Sequence, residues 1–428
     1  MKKKIYEFFV YISLFLIGIG IKLNSYKLCA FIIYLNIRKS KEVKYDHKNK
    51  KKILVFPKSG GYEDLIESYY NKKNNDITFY LLPRTFLKKL YSAYFNKNYE
   101  KDYYTKLNKI SDINKKNQYI NFVSSIFGEI QKFLSFDGFI SFNLFYFAEK
   151  YLEEVCLVLN IKYIVLHKES AFTPLEEKNA PSIYQKFNDK SLAYKISVYS
   201  ESQKKILIQS KIATKNQITI NGNPRCDYAF RLRKIKPKKN IIVFYLIETY
   251  RNTNYLVNDS KKNWNKIFNI TLRYLIEFIK KNPQTHLIFK GKTGVHEKLV
   301  SRFKNLPKNC TFICGGSGER LLRDATVVIA FNSTIVFEAI ASNRNLIIPN
   351  FNNESVTKKN ILHKINNKAY LVNTKNLFYK KMKMYLNMKY ENKNLSKTDI
   401  KTLRYYVGNI NGKSGIKIQK FLNNILKN

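Results

Sequence analysis

Cysteine is scarce, and its five positions (Cys29, Cys156, Cys226, Cys310 and Cys314) are odd in number and scattered. That excludes a disulfide framework and any paired zinc-finger spacing, and it suits a reducing compartment. Nine prolines and fifteen glycines are too few for a collagen-like fibre or for long flexible linkers. No repeat of about 20 to 50 residues marks a solenoid. The required glycine spacing of a Walker A loop is absent, as are helix-turn-helix, zinc and aromatic RNA-sheet signatures. The largest deficit is of acids: 31 Asp and Glu face 77 Lys and Arg, a formal charge of +46. A surplus of this size attracts polyanions, which means nucleic acid, anionic lipid or a phosphate-bearing substrate. With no nucleic-acid module in the chain, no specific nucleic-acid partner is expected.

The 428 residues are 45% hydrophobic and 15% aromatic, enough for two or three folded cores. After Met1-Lys2-Lys3-Lys4, residues Phe8 to Ile21 carry no charge, and a second apolar run extends from Leu28 to Ile37. Fourteen residues is short for a helix crossing the hydrocarbon, so a shallow interfacial anchor is expected. The basic block from Arg38 to Lys52 behind it suits a negatively charged cytoplasmic leaflet. Residues 1–50 therefore read as a membrane-associated segment.

From Lys52 short apolar strands alternate with helical stretches, which is the pattern of an α/β fold with parallel sheets. Ile53 to Phe56, Ile77 to Leu82, Gly138 to Ser141, Tyr163 to Leu166, Ile196 to Tyr199 and Ile218 to Ile220 are the strands expected first, with a long helix from about Phe145 to Leu159. Asn221-Gly222-Asn223-Pro224-Arg225 reads as a turn and the basic stretch Arg231 to Lys239 as a linker. A second set follows: Ile241 to Leu246, a helix over about Trp264 to Lys281, His286 to Phe289, Thr311 to Ile313, Val327 to Ala330 and Leu346 to Ile348. The expected organisation is two Rossmann-like doubly wound domains facing a cleft, at 51–235 and 236–375, followed by a basic helical tail at 376–428.

Ligands of open parallel sheets sit at the carboxyl ends of the strands. The most specific segment there is Asn332-Ser333-Thr334, which opens a helix carrying Glu338 among apolar neighbours. Hydroxyls and free amides at a helix start suit a phosphate. A carboxylate so placed would accept hydrogen bonds from a ribose or sugar diol; otherwise Ser333 caps the helix and Glu338 pairs with a structural cation. Lys290 and Lys292 directly follow a strand and could hold a pyrophosphate, or form a solvated loop. Gly315 and Gly316 in a strand-to-helix turn would let backbone approach a nucleotide. In the first half, His167 or Glu169 could take a proton from a hydroxyl nucleophile. Gly60 and Gly61 permit close approach after the first strand, and Arg225 with Asp227 could brace the hinge. The histidines and cysteines suggest no metal site.

The succession Phe136-Asp137-Gly138, Leu166-His167-Lys168-Glu169, Ser200-Glu201-Ser202-Gln203-Lys204, Gly222-Asn223-Pro224-Arg225-Cys226-Asp227 and Asn332-Ser333-Thr334 with Glu338 resembles bacterial surface-polysaccharide biosynthesis proteins, which are similar to GT-B glycosyltransferases. The resemblance covers roughly residues 50 to 370. It implies a nucleotide-sugar donor held mainly by the second domain, a glycan or lipid-linked acceptor held by the first, and no obligatory metal. On that reading the helix opened by Ser333 and Thr334 takes the donor phosphates, Glu338 the ribose or sugar, Lys290 and Lys292 the leaving diphosphate, and Glu169 acts as base. Many relatives carry His-Pro where this chain has Lys290-Gly291-Lys292, so glycerophosphate-type or capsule-type chemistry does not transfer. A sugar-nucleotide epimerase of the same fold and a non-catalytic polyanion-binding protein are the competing readings.

Overall fold

The computed structural model describes residues 2–43, 51–70, 75–95, 110–168, 172–247, 261–292, 296–297, 306–316, 318–331, 333–351 and 370–427. Two helices, α1 (Lys2–Lys22) and α2 (Tyr26–Asn36), lead into a seven-stranded sheet. Its elements are β1 (Arg38–Lys39), β2 (Lys51–Val55), α3 (Gly61–Tyr69), β3 (Ile77–Leu81), α4 (Arg84–Tyr94), α5 (Ile110–Phe133), β4 (Gly138–Ser141), α6 (Leu152–Val158), β5 (Lys162–Leu166), α7 (Pro174–Phe187), β6 (Lys195–Val198), α8 (Glu201–Gln209) and β7 (Ile218–Ile220). After α9 (Arg225–Leu232) come β8 (Ile241–Tyr245), α10 (Lys261–Lys280), β9 (His286–Gly291), β10 (Cys310–Cys314), β11 (Val327–Ile329), α11 (Ile335–Ala341), β12 (Asn345–Pro349) and β13 (Leu371–Val372). Three helices close the chain: α12 (Lys375–Asn387), α13 (Lys397–Val407) and α14 (Ser414–Lys427).

The first sheet runs β1-β3-β2-β4-β5-β6-β7, parallel except for the two-residue edge strand β1. The second runs β10-β9-β8-β11-β12-β13 and is wholly parallel. Strands such as Ile53-Leu54-Val55 and Val327-Val328-Ile329 are buried on both faces, which is why they lack a polar alternation. Strand order reverses between β2 and β4 in the first sheet and between β8 and β11 in the second. Such switch points leave a crevice at the strand ends, because the flanking helices depart to opposite faces.

Several local expectations are corrected. The helix expected from Phe145 starts only at Leu152, because Tyr151 adopts a left-handed conformation (φ 68°) after a 3-10 turn at Phe147–Glu149. That turn points Glu149 inward to Arg84. The first part of the expected 231–239 linker belongs to α9, whose Cys226, Ala229 and Leu232 pack in the second lobe with Val336, Phe337 and Ile340. The residues after 376 are divided between the lobes: Leu403, Tyr406 and Val407 of α13 join the second core, while Ile418, Leu422 and Ile425 of α14 pack on Val55, Phe79 and Ile140 of the first sheet.

The chain therefore crosses between lobes twice, at 221–225 and 408–414, and the two crossings lie against each other. Gly408 (φ 65°) stands so close to Tyr199 that a Cβ would be 1.7 Å from its carbonyl oxygen. Asp227 ties the crossings together, accepting from Ser414 N at 3.1 Å, Gly415 N at 2.7 Å and Asn409 Nδ2 at close range.

The N-terminal helices dock on the first lobe, where Ile17, Cys29, Ile32 and Ile33 are core residues. The opposite face of α1 leaves Phe8, Tyr11 and Phe15 about two-thirds exposed or more. By length and composition alone, Ile5–Lys22 is the one helix among the described residues able to cross a membrane. It exceeds the fourteen-residue run because Ile5, Tyr6, Glu7 and Lys22 extend it.

Candidate functional site

The helix α11 follows β11 directly, so Ser333, Thr334 and Glu338 stand at the switch point of the second sheet. Thr334 occupies the cap position in helical conformation, and its side chain makes no capping bond. The first turn is closed by backbone instead, with Val336 N donating to Ser333 O and Phe337 N to Thr334 O. Both hydroxyl residues are half-buried, and neither side chain bonds within the described residues. Every residue from Ile335 to Ala341 is buried, Glu338 at 2% exposure. Burial pushes the Glu338 carboxyl up to about 8, against the pull of the Arg225 guanidinium; Glu319 and Asp64 push in the same direction as burial. Its side chain accepts no hydrogen bond from the described residues.

Arg225 starts α9 at the crossing between lobes. Its Nε donates to Asp64 Oδ1 at 2.7 Å, and the Tyr199 hydroxyl donates to Asp64 Oδ2. Burial alone would depress the guanidinium, but the Asp64 carboxylate beside it reverses that and holds it firmly charged. Asp227, expected with Arg225 to brace the hinge, accepts from the second crossing. A further pair, Arg231 with Glu67 at 2.6 Å, also joins α9 to α3. These bonds bring Asp64, on the helix following β2, within electrostatic reach of Glu338, so the two switch points address one gap.

Gly60 (φ 87°) forms the turn into α3, and its N–H donates to Glu63 Oε2 at 2.6 Å. A Cβ there would lie 3.6 Å from both Arg225 Nη1 and Lys168 Nζ, so the loop passes between two cations. At Gly61 a Cβ would stand 2.3 Å from the Phe142 ring, leaving no space for one.

In the second lobe, Gly315 and Gly316 are consecutive left-handed residues after β10. The loop is held by Tyr245, whose hydroxyl donates to Gly318 O at 2.7 Å, next to the start of α11. Lys290 is buried, with its ammonium donating to Gly291 O at 3.0 Å and to Gly315 O. It thus secures the ends of β9 and β10, while Lys292 is the exposed cation of the pair. His167 is 1% exposed, with its ring edge-on to Phe145 at 5.6 Å. Glu169 and Asn332 lie outside the described residues. Among the described residues no group of three His, Cys, Asp or Glu side chains could hold a metal.

Gly60, Arg225 and Glu338 are therefore brought to one gap, Gly315 and Gly316 border the helix start, Lys290 is turned onto backbone, and His167 faces the core. Sequence reasoning missed Asp64 and Tyr199. Their only local signal is a pair of acids in the first turn of a helix after a glycine turn, which reads as ordinary helix-end charge.

No protein-family model matches the chain, and no curated protein matches it. Solved structures do. A glycosyltransferase from Rickettsia africae is similar at 17% identity and a TM-score of 0.47, over 89% of this chain and all of the other. The wall teichoic acid polymerase TagF is similar at 11% identity and a TM-score of 0.48, over 97% of each chain. A Listeria monocytogenes protein described as a UDP-N-acetylglucosamine 2-epimerase is similar at 10% identity and a TM-score of 0.48, over 88% of this chain and 97% of the other.

Proposed function

We propose that the chain is a glycosyltransferase that moves a sugar from a nucleotide-sugar to a surface polysaccharide or lipid-linked glycan. The observation that carries this reading is the placement of Glu338: a buried carboxyl without a donor among the described residues, on the helix opened by Ser333 and Thr334, at the switch point of a sheet in Rossmann strand order. A buried carboxyl lacking donors is costly, and a vicinal diol supplies two. The donor diphosphate lies over the α11 start and the Gly315–Gly316 backbone, with Lys292 toward the leaving group and Lys290 stiffening the loop from behind. Asn332 completes the donor side.

The acceptor enters from the first lobe, past Gly60 and Gly61. Glu169 removes the proton from the acceptor hydroxyl, since His167 is buried against Phe145. The acceptor oxygen attacks the anomeric carbon, the bond from that carbon to the diphosphate oxygen breaks, and the nucleoside diphosphate departs with the electron pair. Arg225, paired with Asp64, braces the acceptor side of the gap beside Glu338. The exposed Phe8, Tyr11 and Phe15 face of α1, flanked by lysines, keeps the enzyme at the cytoplasmic face of the inner membrane as a shallow anchor. The domain division for this reading is 51–235 for the acceptor and 236–375 for the donor, with α9 and α13 packed into the donor lobe and α14 returned to the acceptor lobe.

The test incubates full-length protein with UDP-, GDP-, CDP- and CMP-sugars, with and without a lipid extract carrying glycan acceptors, and measures nucleotide release and product. Release that requires both substrates, and that falls about ten-fold or more in Glu338→Ala, is expected. An epimerised nucleotide-sugar formed without acceptor would assign the fold to the competing activity. No turnover of any sugar nucleotide would refute both.

A further inference from the structure

The first sheet has a switch point of its own, between β2 and β4, and the roles above leave its side chains unused. Four cations leave the carboxyl ends of neighbouring strands: Lys58 after β2, Arg84 and Lys88 on α4 after β3, and Lys168 after β5. They gather at an aromatic step supplied by the loop after β4. Lys58 Nζ lies 5.4 Å from the centroid of Tyr146, Arg84 Cζ 4.7 Å and Lys168 Nζ 5.9 Å. Lys88 Nζ lies 5.4 Å from the adjoining ring of Phe147.

Among the described residues the counter-charge is Glu149, and Arg84 already holds it with two parallel bonds, Nη2 to Oε2 at 2.7 Å and Nε to Oε1. The Lys58 ammonium makes no hydrogen bond or ion pair among the described residues, although the residue is half-buried. Burial, then the Arg84, Lys168 and Lys88 charges, lower its proton affinity below the usual lysine range. Among the described residues, four like charges therefore gather beside these two rings against one carboxylate, which Arg84 already engages. The cluster borders Gly60 through Lys168, and across Gly60 stands the Arg225 guanidinium, which Asp64 pairs.

We infer that this crevice seats a phosphate group, monoester or diphosphate, carried by the acceptor. A multiply charged anion matches several convergent ammonium and guanidinium donors better than a single carboxylate does. Its position at the strand ends of the first lobe leaves the rest of the acceptor facing the second. The acceptor assignment rests on the transferase reading, whereas the phosphate chemistry rests on the cluster itself.

The test titrates inorganic pyrophosphate into the full-length protein by calorimetry, for wild type, Lys58→Ala/Lys168→Ala, Lys58→Arg/Lys168→Arg and Glu338→Gln, each first shown to unfold cooperatively. The alanine pair is expected to bind at least about ten-fold more weakly, with the arginine pair and Glu338→Gln close to wild type. Absence of binding by wild type, equal binding by the alanine pair, or a loss confined to Glu338→Gln would overturn the assignment. A second arm sediments the same proteins with phosphatidylglycerol vesicles. Vesicle binding that survives in the alanine pair places the phosphate on the acceptor. Vesicle binding lost together with pyrophosphate binding would give the cluster to a membrane headgroup and overturn the acceptor assignment. Failure of the transferase reading itself shows separately, as absent nucleotide-sugar turnover with pyrophosphate binding intact.

Discussion

Replacing Glu338 by Gln keeps the side-chain shape and removes one titration, which makes its effect on stability calculable. The folded carboxyl titrates at about 8 against an ordinary 4.5, because burial outweighs the attraction of Arg225. A folded value above the unfolded one means that the native state binds the proton more tightly. The corresponding stabilisation is therefore complete below pH 4.5 and is lost as pH rises toward 8. At about 1.4 kcal/mol per pH unit, the loss relative to Glu338→Gln is about 3 kcal/mol by pH 7 and about 5 kcal/mol above pH 8. Urea titrations of wild type and Glu338→Gln at pH 5, 6, 7 and 8 measure the difference directly. The wild-type curve should fall relative to the variant with each step. Parallel curves, or a wild type that gains stability with pH, would refute the buried placement of this carboxyl.

Other predictions follow from the same geometry. Donor binding that supplies hydroxyl donors to Glu338 should ionise it, releasing close to one proton at pH 7, since a group titrating near 8 is roughly nine-tenths protonated there; calorimetry in buffers of different ionisation enthalpy reads this, and Glu338→Gln should abolish it. Asp227→Ala removes three acceptor contacts at the crossing and should cost about 2–4 kcal/mol in urea unfolding, with a cost under about 0.5 kcal/mol contradicting the role. Gly408→Ala places a Cβ against the Tyr199 carbonyl at a left-handed φ and should destabilise by about 3 kcal/mol or more, read as a lowered thermal midpoint. Changing Phe8, Tyr11 and Phe15 to Ser should move the protein from the membrane to the soluble fraction without lowering its thermal midpoint, because these side chains stay about two-thirds exposed among the described residues.

Much of this was legible in the linear sequence because local signals agree. Strands buried on both faces read as unbroken apolar runs, and Ser333-Thr334 with a lone Glu338 reads as a helix opened by hydroxyls. Asn221 to Arg225 reads as a turn and does begin the first crossing. What was not legible depends on partners far apart in the chain. Arg225 selects Asp64 over the neighbouring Asp227, 161 positions away from its true partner, because the crossing brings α3 beside α9. The return of α14 to the first sheet is invisible to periodicity, which reports an apolar face but not what covers it. Lys290 sits at a strand end as expected, yet the adjoining carbonyls of Gly291 and Gly315 capture its ammonium. The cations around Tyr146 are dispersed over 110 residues and resemble any solvated charge until the strand order assembles them.

Transfer by this chain depends first on capture of a nucleotide-sugar where α11 begins. A thermal-shift panel of UDP-, GDP-, CDP- and CMP-sugars on wild type and Glu338→Ala tests it. At least one nucleotide class should raise the wild-type midpoint in a concentration-dependent way and leave the variant unmoved. An unshifted wild type at saturating concentrations, or equal shifts in both proteins, would contradict it.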